Sequence, residues 1–270
     1  MAANQARPER PAAVAGSFYP ADGKALAAAL KRLLGAADTG PRAAPPKALI
    51  VPHAGYVYSG PVAATAYGAI GGLKGVASRV VVIGPSHFKP FAGIAAPSAA
   101  AFATPLGPVA VDRAAIATLL DQGLVVIDDE AHAREHALEV QLPFLVAQLG
   151  PFRLVPLLVG DAPEAAVAAA LEAVWGGRET LIVVSSDLSH YHSRDTAAEL
   201  DGATARAIEN LAGDALTGED ACGFQAIAGV LAAARRHGLK IERLGLATSA
   251  DTAGDAVRVV GYGAWALAEE

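Results

Sequence analysis

The chain has few of the features that mark secreted, membrane-spanning or nucleic-acid-binding proteins. It has a single cysteine, Cys222, so no disulfide can form within it. No apolar stretch approaches the roughly 20 residues of a membrane span, and the N-terminus lacks the apolar core of a secretory signal. No long basic run is present, and 21 basic against 27 acidic residues give a formal net charge of −6. We therefore expect a cytoplasmic protein with no nucleic-acid or membrane partner.

What the chain does have is the composition and the patterning of a compact α/β domain. Hydrophobic residues make up 53% of the 270 positions and charged residues 18%, which excludes disorder and allows a sizeable core. Short aliphatic runs alternate with helical periodicity along the whole chain. We predict one domain over residues 1–270, with three layers and a central mostly parallel or mixed sheet flanked by helices. The Pro-rich residues 1–20 are expected to be an extended segment that packs on it.

Several helices and loops are predicted with definite boundaries. A helix is predicted from about Pro61 to Ile70, because proline suits the first turn of a helix. Helical periodicity over 135–150 predicts a helix that Pro143 kinks or restarts. Residues 128–134 are expected to form a loop. Further helices are predicted at 22–36, 112–123, 162–175, 194–213 and 220–238.

Polar residues follow three of the predicted strands at the point where each strand ends. His53 comes after the aliphatic run 48–51, His87 after the run 80–83, and Asp187 with His190 after the run 181–184. In a parallel sheet these ends share one edge, where α/β proteins bind ligands. Converging imidazoles are typical of a first-row metal site. The alternative is that each histidine caps a strand or hydrogen-bonds backbone.

Cysteine and carboxylate positions add further candidates, each with an ordinary structural alternative. Cys222 is predicted in the first turn of a helix, where the helix dipole lowers a thiol pKa, although free cysteines are often small buried hydrophobic residues. Glu135 and Glu139 lie four apart beside His136, which suits either a substrate-facing role or a solvated face. Of the other histidines, His132 and His237 are expected at the surface, and His192 in either setting.

Six segments together resemble the MEMO family, whose prokaryotic members are called AmmeMemoRadiSam system protein B. The resemblance spans almost the whole chain in the family's order and implies an α/β fold like that of the LigB-type class III extradiol dioxygenases, which use non-haem Fe(II). The segments are AVAGSFYPAD (13–22), VPHAGYVYSG (51–60), IGPSHF (83–88), EHALEVQLPF (135–144), SSDLSH (185–190) and ACG (221–223).

The resemblance implies a role for particular residues. It places the metal ligands at His53, His87 and Cys222, and the catalytic residues at His190, as acid/base, and Asp187. The dioxygenases have glutamate where this chain has Cys222. Because thiolate is a softer ligand, copper and zinc join iron(II), the first choice, as candidate metals. The residues expected to line the substrate pocket are Glu135, His136, Phe18, Tyr19 and Tyr56.

Three functions are compatible with these residues. The first is a non-haem Fe(II)-dependent oxidoreductase related to the dioxygenases, acting on a small molecule or peptide together with radical SAM and AMMECR-family proteins, as the resemblance implies. The second is a non-catalytic protein that binds copper or iron, or a protein or peptide partner. The third is a zinc hydrolase, because three protein ligands leave a fourth position open.

Overall fold

The computed structural model describes residues 9–37 and 45–269, so residues 1–8 of the predicted N-terminal segment lie outside the described residues. The described parts contain eleven strands and eight helices. The strands are β1 (Ala48–Val51), β2 (Arg79–Pro85), β3 (Ile94–Ala96), β4 (Ala101–Phe102), β5 (Val109–Ala110), β6 (Val126–Ile127), β7 (Arg153–Val159), β8 (Thr180–Ser185), β9 (His190–His192), β10 (Lys240–Thr248) and β11 (Val259–Ala268). The helices are α1 (Gly23–Ala36), α2 (Tyr56–Gly68), α3 (Arg113–Asp121), α4 (Asp129–Ala133), α5 (Leu142–Leu149), α6 (Glu164–Ala173), α7 (Arg194–Glu209) and α8 (Phe224–His237).

A nine-stranded mixed sheet forms the centre of the molecule. Its order is β10-β11-β1-β8-β2-β7-β3-β6, and β9 pairs with β11. The four central strands β1, β8, β2 and β7 are parallel, whereas β11 and β3 run antiparallel to their central neighbours. Strands β4 and β5 form a separate two-stranded ribbon. The predicted mostly parallel or mixed sheet is therefore confirmed.

Helices cover both faces of this sheet, which gives the three predicted layers. Helices α1, α2 and α5 pack together in one layer, and α6 and α8 pack together in the other, with α7 against β10 and β11. The central strands β1 and β8 are buried at every position, as expected for strands covered on both faces. No helix among the described residues is long and apolar enough to cross a membrane.

Several helix boundaries differ from those predicted. Helix α7 ends at Glu209 rather than 213, and α8 begins at Phe224 rather than 220. Helix α2 begins at Tyr56 rather than near Pro61, and the backbone N–H of Tyr56 donates to the carbonyl of Phe18 at 2.8 Å. The predicted helix 135–150 is a turn followed by a 3₁₀ segment (Glu139–Gln141) and α5. The predicted loop 128–134 contains α4, which the Asp128 side chain caps.

Candidate metal centre

Three neighbouring parallel strands deliver the first residues of the site. Strand β1 ends at Val51, β8 at Ser185 and β2 at Pro85, and these strands are adjacent in the order β1-β8-β2. His53, Asp187 and His87 each follow two residues after the end of their strand. The backbone N–H of His53 donates to Oδ1 of Asp187 at 2.7 Å, which ties two of the strand ends together.

Three histidines lie close enough to share one ion. The rings of His53 and His87 are 5.2 Å apart between centroids, and that of His136 lies 5.4 Å from His53 and 4.7 Å from His87. One nitrogen of each ring lies within 4.8 Å of the corresponding nitrogens of the other two. His136, expected to line the substrate pocket, is thus brought to the same point as the two predicted ligands. No sequence spacing relates it to His53, so only folding reveals this grouping.

The carboxylate of Glu135 lies against Nδ1 of two of these rings, those of His87 and His136. Its buried carboxylate accepts the backbone N–H and the Nδ1 hydrogen of His87, at 2.6 and 2.9 Å. It also lies 3.3 Å from Nδ1 of His136 and accepts the backbone N–H groups of His136 and Ala137. Because the Glu135 side chain accepts the N–H groups of the two residues that follow it, residues 135–138 form a turn and not a helix. Burial raises the pKa of Glu135, but the hydrogen bonds and charge of His87 outweigh it and the net pKa is lowered.

The hydrogen bonds assign the tautomer of His53. The hydroxyl of Ser185 donates to the carbonyl of Ala137 at 2.7 Å and accepts from the Gln141 amide at 2.8 Å. Because that hydroxyl hydrogen is committed, Nδ1 of His53, 2.9 Å away, must be the donor to Ser185. Nε2 of His53 therefore keeps its lone pair. The same reasoning applies to His87, because the Glu135 carboxylate only accepts. Sequence reasoning did not single out Ser185 or Gln141.

Burial holds His53 and His136 in their neutral form by lowering the pKa of each ring. Burial first, and then the positive charge that His87 and His136 would carry, lower the pKa of His53 well below its usual value. Burial lowers the pKa of His136 to about 4, against the opposing effect of the Glu135 charge. Neutral imidazoles are the form that binds metals. The rings of His53 and His87 each offer the lone pair of Nε2, and the Glu135 carboxylate orients His87 through Nδ1. This arrangement fits a first-row metal ion bound among the three rings.

Cys222 lies beside His53 rather than in the group of three histidines. Its sulfur is 3.4 Å from Nε2 of His53. Ligands of one tetrahedral ion, at about 2.1 Å for nitrogen and about 2.3 Å for sulfur, would be about 3.6 Å apart, so this position is compatible with a shared ion. The backbone N–H of Asp187 donates to the sulfur at 3.3 Å. The residue nevertheless precedes α8 instead of lying in its first turn.

The expected lowering of the Cys222 pKa is therefore wrong for the metal-free protein. Burial, followed by the negative charge of Asp187, raises the pKa of the thiol to about 12. The helix that was expected to stabilise a thiolate begins only at Phe224. A metal ion would have to displace the thiol proton in order to gain this ligand.

Asp187 and His190 lie next to the histidine group. Burial raises the pKa of Asp187 to about 7, although the backbone N–H of His53 opposes the shift. Burial lowers the pKa of His190, and the charge that His87 would carry lowers it further. Between the paired residues of β9, Tyr191 has a left-handed φ of 63° and an exposed ring. Backbone strain of this kind is common where a fold aims functional side chains.

The other residues expected in the substrate pocket divide into two groups. The ring of Phe18 contacts His136, with centroids 4.9 Å apart. The hydroxyl of Tyr19 instead donates to Glu139 and that of Tyr56 to the carbonyl of Val140, at 2.6 and 2.8 Å, and both rings are buried. Phe88, which is 47% exposed, also lies near His136, with ring centroids 6.0 Å apart in an edge-to-face arrangement.

The remaining histidines are not members of the group of three. His132 was expected at the surface, but its side chain is buried and Nε2 lies 3.1 Å from the carbonyl of Ala95. Burial lowers the pKa of His132 to about 4. His237 stacks on Trp175 with ring centroids 4.1 Å apart and lies 2.9 Å from Glu172. His192, the last residue of β9, pairs with Val259 of β11.

Comparison with known proteins assigns the chain to a family. Residues 10–266 match the family described as Memo-like protein. A MEMO1 family protein of Ignicoccus hospitalis is 38% identical, covering 94% of this chain and 97% of its own length. Those of Methanopyrus kandleri and Sulfolobus acidocaldarius are 37% and 35% identical, covering 95% and 93% of this chain and 98% and 96% of their own lengths. This chain thus belongs to the Memo-like protein family.

Proposed function

We propose that this protein is a metal-dependent oxidoreductase related to the class III extradiol dioxygenases, with non-haem iron(II) as its metal. The observation that carries the proposal is the group formed by His53, His87 and His136, whose ring nitrogens lie within 4.8 Å of one another. Iron(II) held by such ligands supplies one-electron and O₂ chemistry while leaving positions for a substrate. The proposed ligands are His53 and His87, with Cys222 or His136 as the third.

The surrounding residues have separate proposed tasks. Ser185 and Glu135 fix the rings of His53 and His87 by hydrogen bonds to Nδ1. His190 is proposed to take a proton from the substrate or return one to it, since an imidazole with a lowered pKa is a base at neutral pH. Asp187 would orient the His53 segment through the backbone N–H of that residue. Of the residues proposed to line the pocket, Phe18 contacts the site directly.

We propose a small molecule or peptide as the substrate and the cytoplasm as the setting. Radical SAM and AMMECR-family proteins are the proposed partners, because the resemblance in the six sequence segments implies them. The exposed aromatic residues Phe88 and Tyr191 next to the site residues support an organic substrate over a bare ion.

One observation favours a second function, reversible binding of copper or iron without turnover. Cys222 places a soft sulfur 3.4 Å from Nε2 of His53, and sulfur together with imidazole suits copper. A protein of this kind would hand its metal, or present its surface, to a protein or peptide partner. It would consume no O₂.

Metal analysis and an oxygen electrode separate these functions. Protein purified under anaerobic, reducing conditions should contain iron at about one ion per chain, and O₂ uptake should follow addition of substrate candidates or of extracts. His53→Ala should lose both the metal and the uptake, whereas His237→Ala, far from the site in the exposed Trp175 stack, should keep both. Copper alone without O₂ uptake would support the second function, and zinc alone would support a hydrolase; either would contradict an iron oxidoreductase.

A further inference from the structure

A buried carboxylate away from the histidine group joins the N-terminal segment to the site. Glu139 is fully buried, and its two oxygens accept four hydrogen bonds, all from the segment formed by residues 9–20. The donors are Nη1 of Arg10, the backbone N–H groups of Ala13 and Val14, and the hydroxyl of Tyr19. No ring nitrogen of the histidine group is among these partners.

Arg10, in the N-terminal segment, makes further hydrogen bonds to the residues that precede Glu139. Arg10 is 6% exposed, and besides forming the ion pair with Glu139 its guanidinium donates to the carbonyls of His132 and Glu135. Its backbone N–H donates to the carbonyl of Ala101 at 2.8 Å, which fixes the residue on β4. One side chain therefore holds segment 132–139 at three points.

Segment 132–139 carries the residues that orient two of the three imidazoles. Glu135, inside this segment, bonds Nδ1 of His87 and lies beside Nδ1 of His136. The N-terminal segment also brings Phe18 against the His136 ring and bonds the first N–H of α2, three residues after His53. A shift of segment 132–139 would therefore move His136 itself and rotate His87.

We infer that Arg10 and Glu139 are positioning residues of the metal site: their buried ion pair fixes segment 132–139 and thereby the ring of His136. This inference rests on the proposed metal binding. Neither side chain contacts the three imidazoles, so both residues act by holding segment 132–139 in place. Because both charges are buried, removing one leaves the other uncompensated and displaces the segment that it holds. Loss of a residue that orients metal ligands typically weakens metal affinity about 10- to 100-fold.

The test is a double-mutant cycle on metal affinity. Zinc or cobalt(II) dissociation constants are measured by chelator competition for wild type, Glu139→Gln, Arg10→Met, His136→Ala and the two double variants. We expect each single change at Glu139 or Arg10 to weaken binding about 10-fold or more. The effect should be smaller when His136 is already alanine, because only the orientation of His87 is then disturbed. Glu164→Gln, which removes an ion pair with Arg235 on α8, is the matched control and should bind like wild type.

Metal binding by Tyr19→Phe and imidazole NMR of Glu139→Gln test the same inference in two further ways. If the charge variants do not fold, Tyr19→Phe, which removes one donor to Glu139, decides the question: weaker metal binding supports the inference, and unchanged binding overturns it. Imidazole NMR of the metal-free protein is independent of metal binding. A shift of the His136 ring signals in Glu139→Gln supports positioning even if the proposed metal function fails, whereas unchanged signals, or equal effects with and without His136, overturn it.

Discussion

The sulfur of Cys222 lies 3.4 Å from Nε2 of His53, although 169 positions separate the two residues in the chain. The same nitrogen also belongs to an imidazole that groups with His87 and His136. His53 and His87 are thus common to two candidate ligand sets, one completed by the sulfur of Cys222 and the other by the imidazole of His136. The predictions below distinguish these sets and test the packing that produces them.

The first prediction concerns which residues hold the metal. We expect His53→Ala and His87→Ala to abolish stoichiometric binding, because both sets require these rings. Cys222→Ala and His136→Ala should each weaken binding by at least about 1.4 kcal/mol, a tenfold change in the dissociation constant. Cobalt(II) titration checks this, since of the two variants that still bind cobalt, Cys222→Ala should lose the thiolate-to-cobalt absorption band and His136→Ala should keep it. Unchanged metal content in both Cys222→Ala and His53→Ala would show that the predicted ligands are wrong.

The second prediction concerns the protons released when metal binds. Burial holds the pKa of the Cys222 thiol at about 12, whereas that of His136 is lowered to about 4. At pH 7.5 the thiol is therefore protonated and the imidazole is not. If sulfur binds, about one proton should be released per ion, and Cys222→Ala should abolish that release. Calorimetry in buffers of different ionisation enthalpy measures it, and a release of zero in wild type would exclude thiolate ligation.

The third prediction concerns stability at acid pH. Burial lowers the pKa of His132 to about 4, so the unfolded chain takes up this proton at a higher pH than the folded protein does. Its contribution to stability is therefore complete above pH 6.5 and is lost as the pH falls from 6.5 towards 4, by about 1.4 kcal/mol per pH unit. Urea unfolding at several pH values should give His132→Gln a shallower slope than wild type. Identical slopes would contradict this prediction.

The fourth prediction concerns the glycine after the thiol. A Cβ at Gly223 would lie 2.8 Å from Cβ of Ser186 and 2.9 Å from the carbonyl oxygen of Ser185. Gly223→Ala should therefore push the Cys222 segment away from His53 and destabilise the protein by about 1–3 kcal/mol. Gly218→Ala is the control, because its Cβ would only meet Phe224 at 3.7 Å. Thermal unfolding and metal affinity together check this, and equal behaviour of the two variants would refute the close contact.

Much of the architecture was predictable from short-range patterns. Residues 80–83 of β2 and 181–184 of β8 are continuously aliphatic, which is typical of strands covered on both faces. The positions of His53, His87 and Asp187 directly after such runs predict that all three lie at one edge of the sheet. Helix boundaries were less predictable, because α2 begins where the distant Phe18 carbonyl accepts its first N–H.

The sequence by itself determined the layered α/β fold, the family, and the strand-end positions of two histidines and an aspartate. These depend on local periodicity and on motif order, which a linear chain displays. Only the tertiary structure decided that His136 joins His53 and His87, that loss of solvation raises the pKa of the half-buried Cys222 thiol, and that the carboxylate of Glu135 orients two rings. Such facts depend on through-space distance and on exclusion of water, and neither quantity is encoded in the spacing of residues along the chain.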